Sequence, residues 1–134
     1  MKKLFAMTLI VAACLLALAC KSGSLNGEWT ISAVNGEPVT TVEKTPFLQF
    51  NEAESRIHGC FGVNTVNGSY SFENGKLAID NLMMTMMAGV PQDMEVENKV
   101  RAAMGTVVSA KIQGDKLSLL DAEGAEVVTL TRKK

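Results

Sequence analysis

The sequence contains one histidine, His58, and no excess of positive charge: 13 basic residues stand against 14 acidic ones. No basic patch appears, which argues against nucleic acid as a partner. No HExxH pair, nucleophile elbow or glycine-rich phosphate loop is present, so the familiar hydrolase and nucleotide chemistries lack their residues. Cysteine is scarce and mostly committed elsewhere. Of Cys14, Cys20 and Cys60, the first falls in an export leader and the second at its cleavage point. Cys60 remains alone, so an internal disulfide has no second partner. There is no repeat and no low-complexity segment, and the length fits one domain.

What is there begins with that leader. Met1-Lys2-Lys3 is a short basic start, and Leu4 to Ala19 is an almost unbroken apolar run. At 16 residues it is shorter than the roughly 20 that a permanent membrane-spanning helix needs. This is the layout of a bacterial export signal. Ala17-Leu18-Ala19-Cys20 resembles a lipobox, although Ala17 stands where leucine is usual. The expected arrangement is a signal peptide over 1–19, a lipidated Cys20 opening a tether over 20–24, and a domain over 25–131. Acyl chains at about 0.8 kcal/mol per buried methylene would make such attachment effectively permanent. Lys21 rather than an aspartate after Cys20 points to the bacterial outer membrane, with the domain facing the periplasm. Loss of Lys2 and Lys3 with the leader leaves 11 basic and 14 acidic residues in a mature chain of 115. A chain of that size buries about 60–70% of its unfolded surface, enough for a core without staples.

The rest alternates in the manner of short strands and tight turns. Trp29–Val34, Phe47–Phe50, Arg56–Cys60, Ser69–Phe72, Leu77–Ile79, Ala110–Ile112, Lys116–Leu120 and Glu126–Thr131 read as strands, with Val39–Val42 and Leu82–Met87 as weaker ones. Asn74-Gly75 is a strong hairpin signal because both residues accept positive φ. The group Gly62, Asn64, Asn67 and Gly68 reads as a hinge between strands, with Asn64 closing an Asx turn on its own backbone. One helix is expected over 94–109, with Asp93 as N-cap and Glu95 and Glu97 in its positive first turn. Val96, Val100, Ala103, Met104, Val107 and Val108 form its apolar stripe. Gly105 within it predicts close packing on a neighbour. Antiparallel strands with one helix predict an α+β fold: a strongly curved, half-barrel-like antiparallel sheet packed on one α-helix.

Several residues can be weighed for chemistry. Met83, Met84, Met86 and Met87 offer soft thioethers suited to copper, with His58 and Cys60 as added ligands. In a strand they point to both faces and cannot all converge, and methionine is also a core filler. No metal or other cofactor is therefore expected. A lone His58 and a Cys60 with few cations near it in sequence do not make a catalytic pair, and no catalytic residue is assigned. An open concave side of the sheet would favour a binding module; a filled one, a scaffold.

Leu25-x-Gly27-x-Trp29, Gly59-Cys60-x-Gly62-x-Asn64, Gly68-x-Tyr70 and Thr85-x-Met87-Ala88, with the helix opening at Glu95 or Glu97, resemble the META domain family of HslJ-like heat-shock lipoproteins. The resemblance implies a curved antiparallel sheet around one helix and a place in the bacterial envelope. Some members are linked to heat induction or novobiocin resistance, and no enzymatic activity is established for the family. Trp29, Gly59, Cys60, Gly62, Asn64, Gly68, Tyr70, Thr85 and Met87 then become motif residues of structural kind. Many members carry cysteines where Val63 and Gly89 stand here, as a disulfide pair would. Their absence predicts a corner held by apolar contact alone and a looser 83–91 loop. The resemblance also implies a non-enzymatic accessory role in envelope stress or assembly, with a hydrophobic ligand or an envelope protein segment as guest. A ligand-free structural lipoprotein and a copper binder are the alternatives.

Overall fold

In the computed structural model, residues 23–134 are described. The leader, Cys14, the expected lipid site Cys20 and Lys21 lie outside the described residues. Nine strands and one helix follow: β1 (Gly27–Val34), β2 (Glu37–Pro38), β3 (Phe47–Asn51), β4 (Arg56–Cys60), β5 (Thr65–Glu73), β6 (Lys76–Met84), α1 (Pro91–Met104), β7 (Ser109–Gln113), β8 (Lys116–Leu120) and β9 (Glu126–Arg132).

The expected curved antiparallel sheet on one helix is what the chain forms. Strand order is β2-β1-β3-β4-β5-β6-β7-β8-β9, and β1 also pairs with β9. The curl thus runs on until its two ends meet, with Trp29 opposite Arg132 and Val34 opposite Val128. Hairpins drive this order. Asn74 and Gly75 sit at φ 52° and 81°, the positive pair that a two-residue turn requires, and they join β5 to β6 as expected. The ring is uneven. Around it, neighbours share four or more register pairs, but β6 meets β7 only at Lys76 and Ser109.

Alternation sets the core. Leu48, Phe50, Ile57, Val66, Leu77, Leu117, Leu119, Val128 and Leu130 point inward and are buried together with Trp29, Ile31 and Phe61. Helix α1 adds Val96, Val100, Ala103 and Met104 to the same cluster. Each such side chain contributes about 1.5–3 kcal/mol by leaving water, less for the alanine. The concave side is accordingly filled rather than hollow.

The helix departs from the expectation at both ends. It starts at Pro91, whose missing N–H costs nothing in a first turn, and Val90 precedes it with no side-chain cap. Asp93 is not the N-cap; it lies inside the first turn. The helix ends at Met104, and Gly105 is its C-cap, donating to the carbonyl of Arg101 at 3.1 Å. A side chain at Gly105 would meet only the helix's own carbonyls, at 3.5 and 3.6 Å, so close packing does not explain the glycine. Thr106 closes the end: its N–H and hydroxyl both donate to the carbonyl of Ala103, at 3.0 and 2.7 Å. Val108 leaves the stripe and is exposed.

Two further differences concern strands. The chain forms β2 at Glu37–Pro38 instead of a strand over 39–42, and β6 is one strand where two were expected. Its interruption is a bulge at Asn81 (φ 53°), where the register with β5 shifts.

Candidate functional site

The hinge is narrower than the sequence suggests. Asn67 and Gly68 lie within β5, and the corner between β4 and β5 is confined to 61–64. Gly68 faces the β6 bulge, where a Cβ would come within 3.0 Å of the Asp80 carbonyl. Gly62 turns the corner at φ 150°, and a Cβ there would stand 2.9 Å from the carbonyl of Asp93. Only glycine allows the corner to lie this close to the helix. Gly59 pairs with Leu48 and Val66 in the ladder beside it.

That approach places the corner over Glu97, a fully buried carboxylate. Its Oε1 accepts the N–H groups of Val63 at 3.0 Å and Asn64 at 2.6 Å, and its Oε2 accepts Asn64 Nδ2 at 2.7 Å. Asn64 spends its remaining capacity on the segment after β6. Its Oδ1 accepts the Thr85 hydroxyl at 2.9 Å and the Met87 N–H at 2.6 Å, while Nδ2 also donates to the Met87 carbonyl at 3.1 Å. Thr85 Oγ1 in turn accepts the N–H of Thr65 at 3.1 Å. Asn64 therefore does not close an Asx turn on itself; it ties three segments together. The corner is likewise not held by apolar contact alone. Val63 and Gly89 do meet there: a Cβ on Gly89 would lie 3.3 Å from Val63 Cβ.

One turn earlier on α1, the buried Asp93 carboxylate accepts the N–H groups of Val42 and Glu43 at 2.7 and 3.1 Å. The two acids hold loops to the helix by charge-assisted bonds. The sequence reading makes Asp93 an N-cap and Glu97 an ordinary first-turn acid, and neither a buried anchor. Asp93, Glu97, Val100 and Met104 repeat at spacings of four, three and four, which puts both on the buried stripe and was the available signal.

The remaining motif residues support the shell. Trp29 is fully buried, donates Nε1–H to the Leu25 carbonyl at 2.8 Å, and lies 4.0 Å beneath the Arg132 guanidinium. Tyr70 packs edge-on to Phe50 at 5.0 Å. Its hydroxyl has no hydrogen-bond partner among the described residues. Burial, and then the charge of Glu52, push the phenol above its ordinary value of 10.0. Cys60 is a buried free thiol. His58 is exposed and shares a 2.9 Å hydrogen bond with Asn67.

The thioethers do not gather around His58. Asn67 stands between them in the ladder, paired with His58 on one side and Met83 on the other. That leaves about 9–10 Å across two strand spacings. Among the described residues, no three His, Cys, Asp or Glu side chains converge.

One of several surface grooves lies at the weak seam. A groove of about 370 Å³ runs between the second half of β6 and the end of α1, lined by Phe61, Ile79, Leu82, Met84, Met86, Arg101, Met104, Gly105 and Val107. Of its lining, Leu82 and Met86 are exposed, Met86 by 81%. Its volume is that of a small ligand site, and an exposed cluster of large apolar side chains marks an interaction surface more often than chance. Methionine suits such a rim because it adapts to varied guests.

The META domain model matches residues 22–134, and the chain belongs to the META domain family. It is similar to heat shock protein HslJ of Escherichia coli (strain K12), at 29% identity over 96 residues, covering 71% of this chain and 67% of that one. A protein solved by NMR matches with a TM-score of 0.62 at 27% identity, over 81% of this chain and 90% of its own. A second NMR structure, from Burkholderia xenovorans, matches at 0.66 and 21% identity over 82% and 84%. A DUF4847 family protein of Bacteroides vulgatus ATCC 8482 matches at 0.59 and 16% over 82% and 94%. At these lower identities the last two speak for the fold alone.

Proposed function

We propose that this chain is a non-enzymatic binding module of the bacterial envelope, tethered to the outer membrane through a lipid on Cys20, and that it takes an apolar guest at the seam. The observation that carries the reading is the groove between β6 and α1, lined by Met84, Met104 and the exposed Leu82 and Met86, at the weakest pairing of the ring. The polar groups of the corner support a binding role over a catalytic one. Glu97 and Asn64 are consumed by hydrogen bonds within the fold, which leaves neither free to move a proton. A role in heat or envelope stress rests on similarity to HslJ, a heat shock protein by name.

The test is a titration of the purified protein with dodecanoate and with a short apolar peptide, followed by NMR. Shifts gathered on groove residues support the reading; no shifts with either probe overturn it. Anchoring has its own check. Palmitate labelling and membrane fractionation should both be lost in Cys20→Ala. The filled concave side favours a second reading, a structural envelope lipoprotein with no guest.

A further inference from the structure

We infer that the guest is an extended apolar peptide bearing an acid group, and that it adds as a strand along the free edge of β6. This rests on the seam being the binding site. Strand β6 pairs with β5 from Lys76 to Met84, yet it pairs with β7 at Lys76 alone. The N–H of Leu77 still reaches the carbonyl of Val108 at 3.1 Å. Strand groups repeat every two residues, so the N–H and carbonyl of Ile79 point to that same edge, where no strand of the ring follows. An edge of this kind templates the pairing of another chain.

The groove lies where the missing strand would run. One wall is the β6 edge, with Ile79, Leu82 and Met84; the other is Met104, Gly105 and Val107; Phe61 also lines it. An added strand sits about 4.7–4.9 Å from its neighbour and offers every second side chain to such a pocket. Main-chain bonds then supply affinity while the adaptable methionines accept varied side chains.

Charge selects among occupants. Arg101 is the sole charged residue of the lining. Among the described residues no carboxylate lies within ion-pair distance of it. A guest acid would complete it. A second copy of this chain is disfavoured, because a two-fold axis through the groove brings one Arg101 toward the other with no acid in either lining. An acyl chain fills the apolar wall but leaves the Ile79 amide and carbonyl bare.

The experiment is hydrogen exchange by mass spectrometry on the full protein in lipid nanodiscs. Three probes are compared: an acetylated octapeptide of alternating valine and threonine with one central aspartate, the same peptide N-methylated at alternate amides, and dodecanoate. The plain peptide should slow exchange of the edge-facing Ile79 amide, read in fragments within 77–84, at least about tenfold, as new ladder bonds do, and the N-methylated one should not. Arg101→Glu should weaken binding of the plain peptide about tenfold, and exchanging the peptide aspartate for lysine should restore it on that variant. Equal protection by both peptides, or protection by dodecanoate alone, overturns strand addition while the binding role stands. No protection by any probe overturns both.

Discussion

The main-chain N–H of Asn64 lies 2.6 Å from the carboxylate of Glu97, thirty-three residues away and buried. With the two further bonds to that carboxylate and the three others of the Asn64 side chain, this contact joins the β4–β5 corner, the segment after β6 and the helix. It therefore fixes the position of α1, and with it one wall of the groove.

Glu97→Gln keeps the shape and removes the charge. The new amide turns an N–H group toward a donor it cannot satisfy, and an unsatisfied buried group costs about 1–3 kcal/mol. Urea unfolding followed by the fluorescence of Trp29, the single tryptophan, should show a loss of that order. Glu97→Ala should lose more, since three donors are then stranded. A change within about 0.5 kcal/mol, the range of neutral surface substitutions, would mean the bonds are not formed.

Gly89 and Val63 make a second, independent test of the corner. A Cβ on Gly89 would stand 2.5 Å from a Val63 methyl group. Gly89→Ala alone should therefore destabilise by about 1–3 kcal/mol, as overpacking does, and adding Val63→Ala should relieve it. The pair Val63→Cys and Gly89→Cys should close a disulfide, because the 3.3 Å separation of the two Cβ positions needs only a small outward adjustment to the usual 3.5–4.5 Å. Two titratable thiols at this pair after oxidation would contradict the geometry.

Tyr70 gives the pH dependence. Its folded pKa is raised, by burial first and Glu52 second. A raised value for an acid favours the neutral form in the folded state, so its stabilising contribution is whole below about 10 and is lost as pH climbs from there through the folded pKa. It is the only tyrosine, so near-ultraviolet absorbance reads it without overlap. Ionisation should occur above the free value and coincide with loss of stability. Tyr70→Phe removes a buried hydroxyl without a partner and should leave stability unchanged or raise it by about 1 kcal/mol. It should also abolish the absorbance step. Ionisation at or below the free value would contradict the burial.

Much of the fold was legible because alternation and the Asn74-Gly75 turn are local signals. The strand Lys116–Leu120 and the helix stripe at Val96, Val100, Ala103 and Met104 were read from periodicity alone. The helix end was not, since Val107 and Val108 continue the spacing while Gly105 and Thr106 break the backbone ladder first. At the site, Asn64 and Gly62 stood out by residue type. Glu97 did not, because an acid in a first helical turn is ordinarily solvated. The groove could not be read at all. It depends on β7 parting from β6 after one pair, which is set by where the 105–108 connection leaves the helix.

The central claim is that the seam binds an apolar guest, and methionine methyl NMR tests it most directly. Met84, Met86 and Met104 line the groove, whereas Met94 on the same helix does not. Titration of methyl-labelled protein with the valine–threonine octapeptide or dodecanoate should move the signals of Met84, Met86 and Met104 together, saturably, and leave Met94 in place. Signals that stay fixed with both probes, or that move at Met94 instead, would contradict the account.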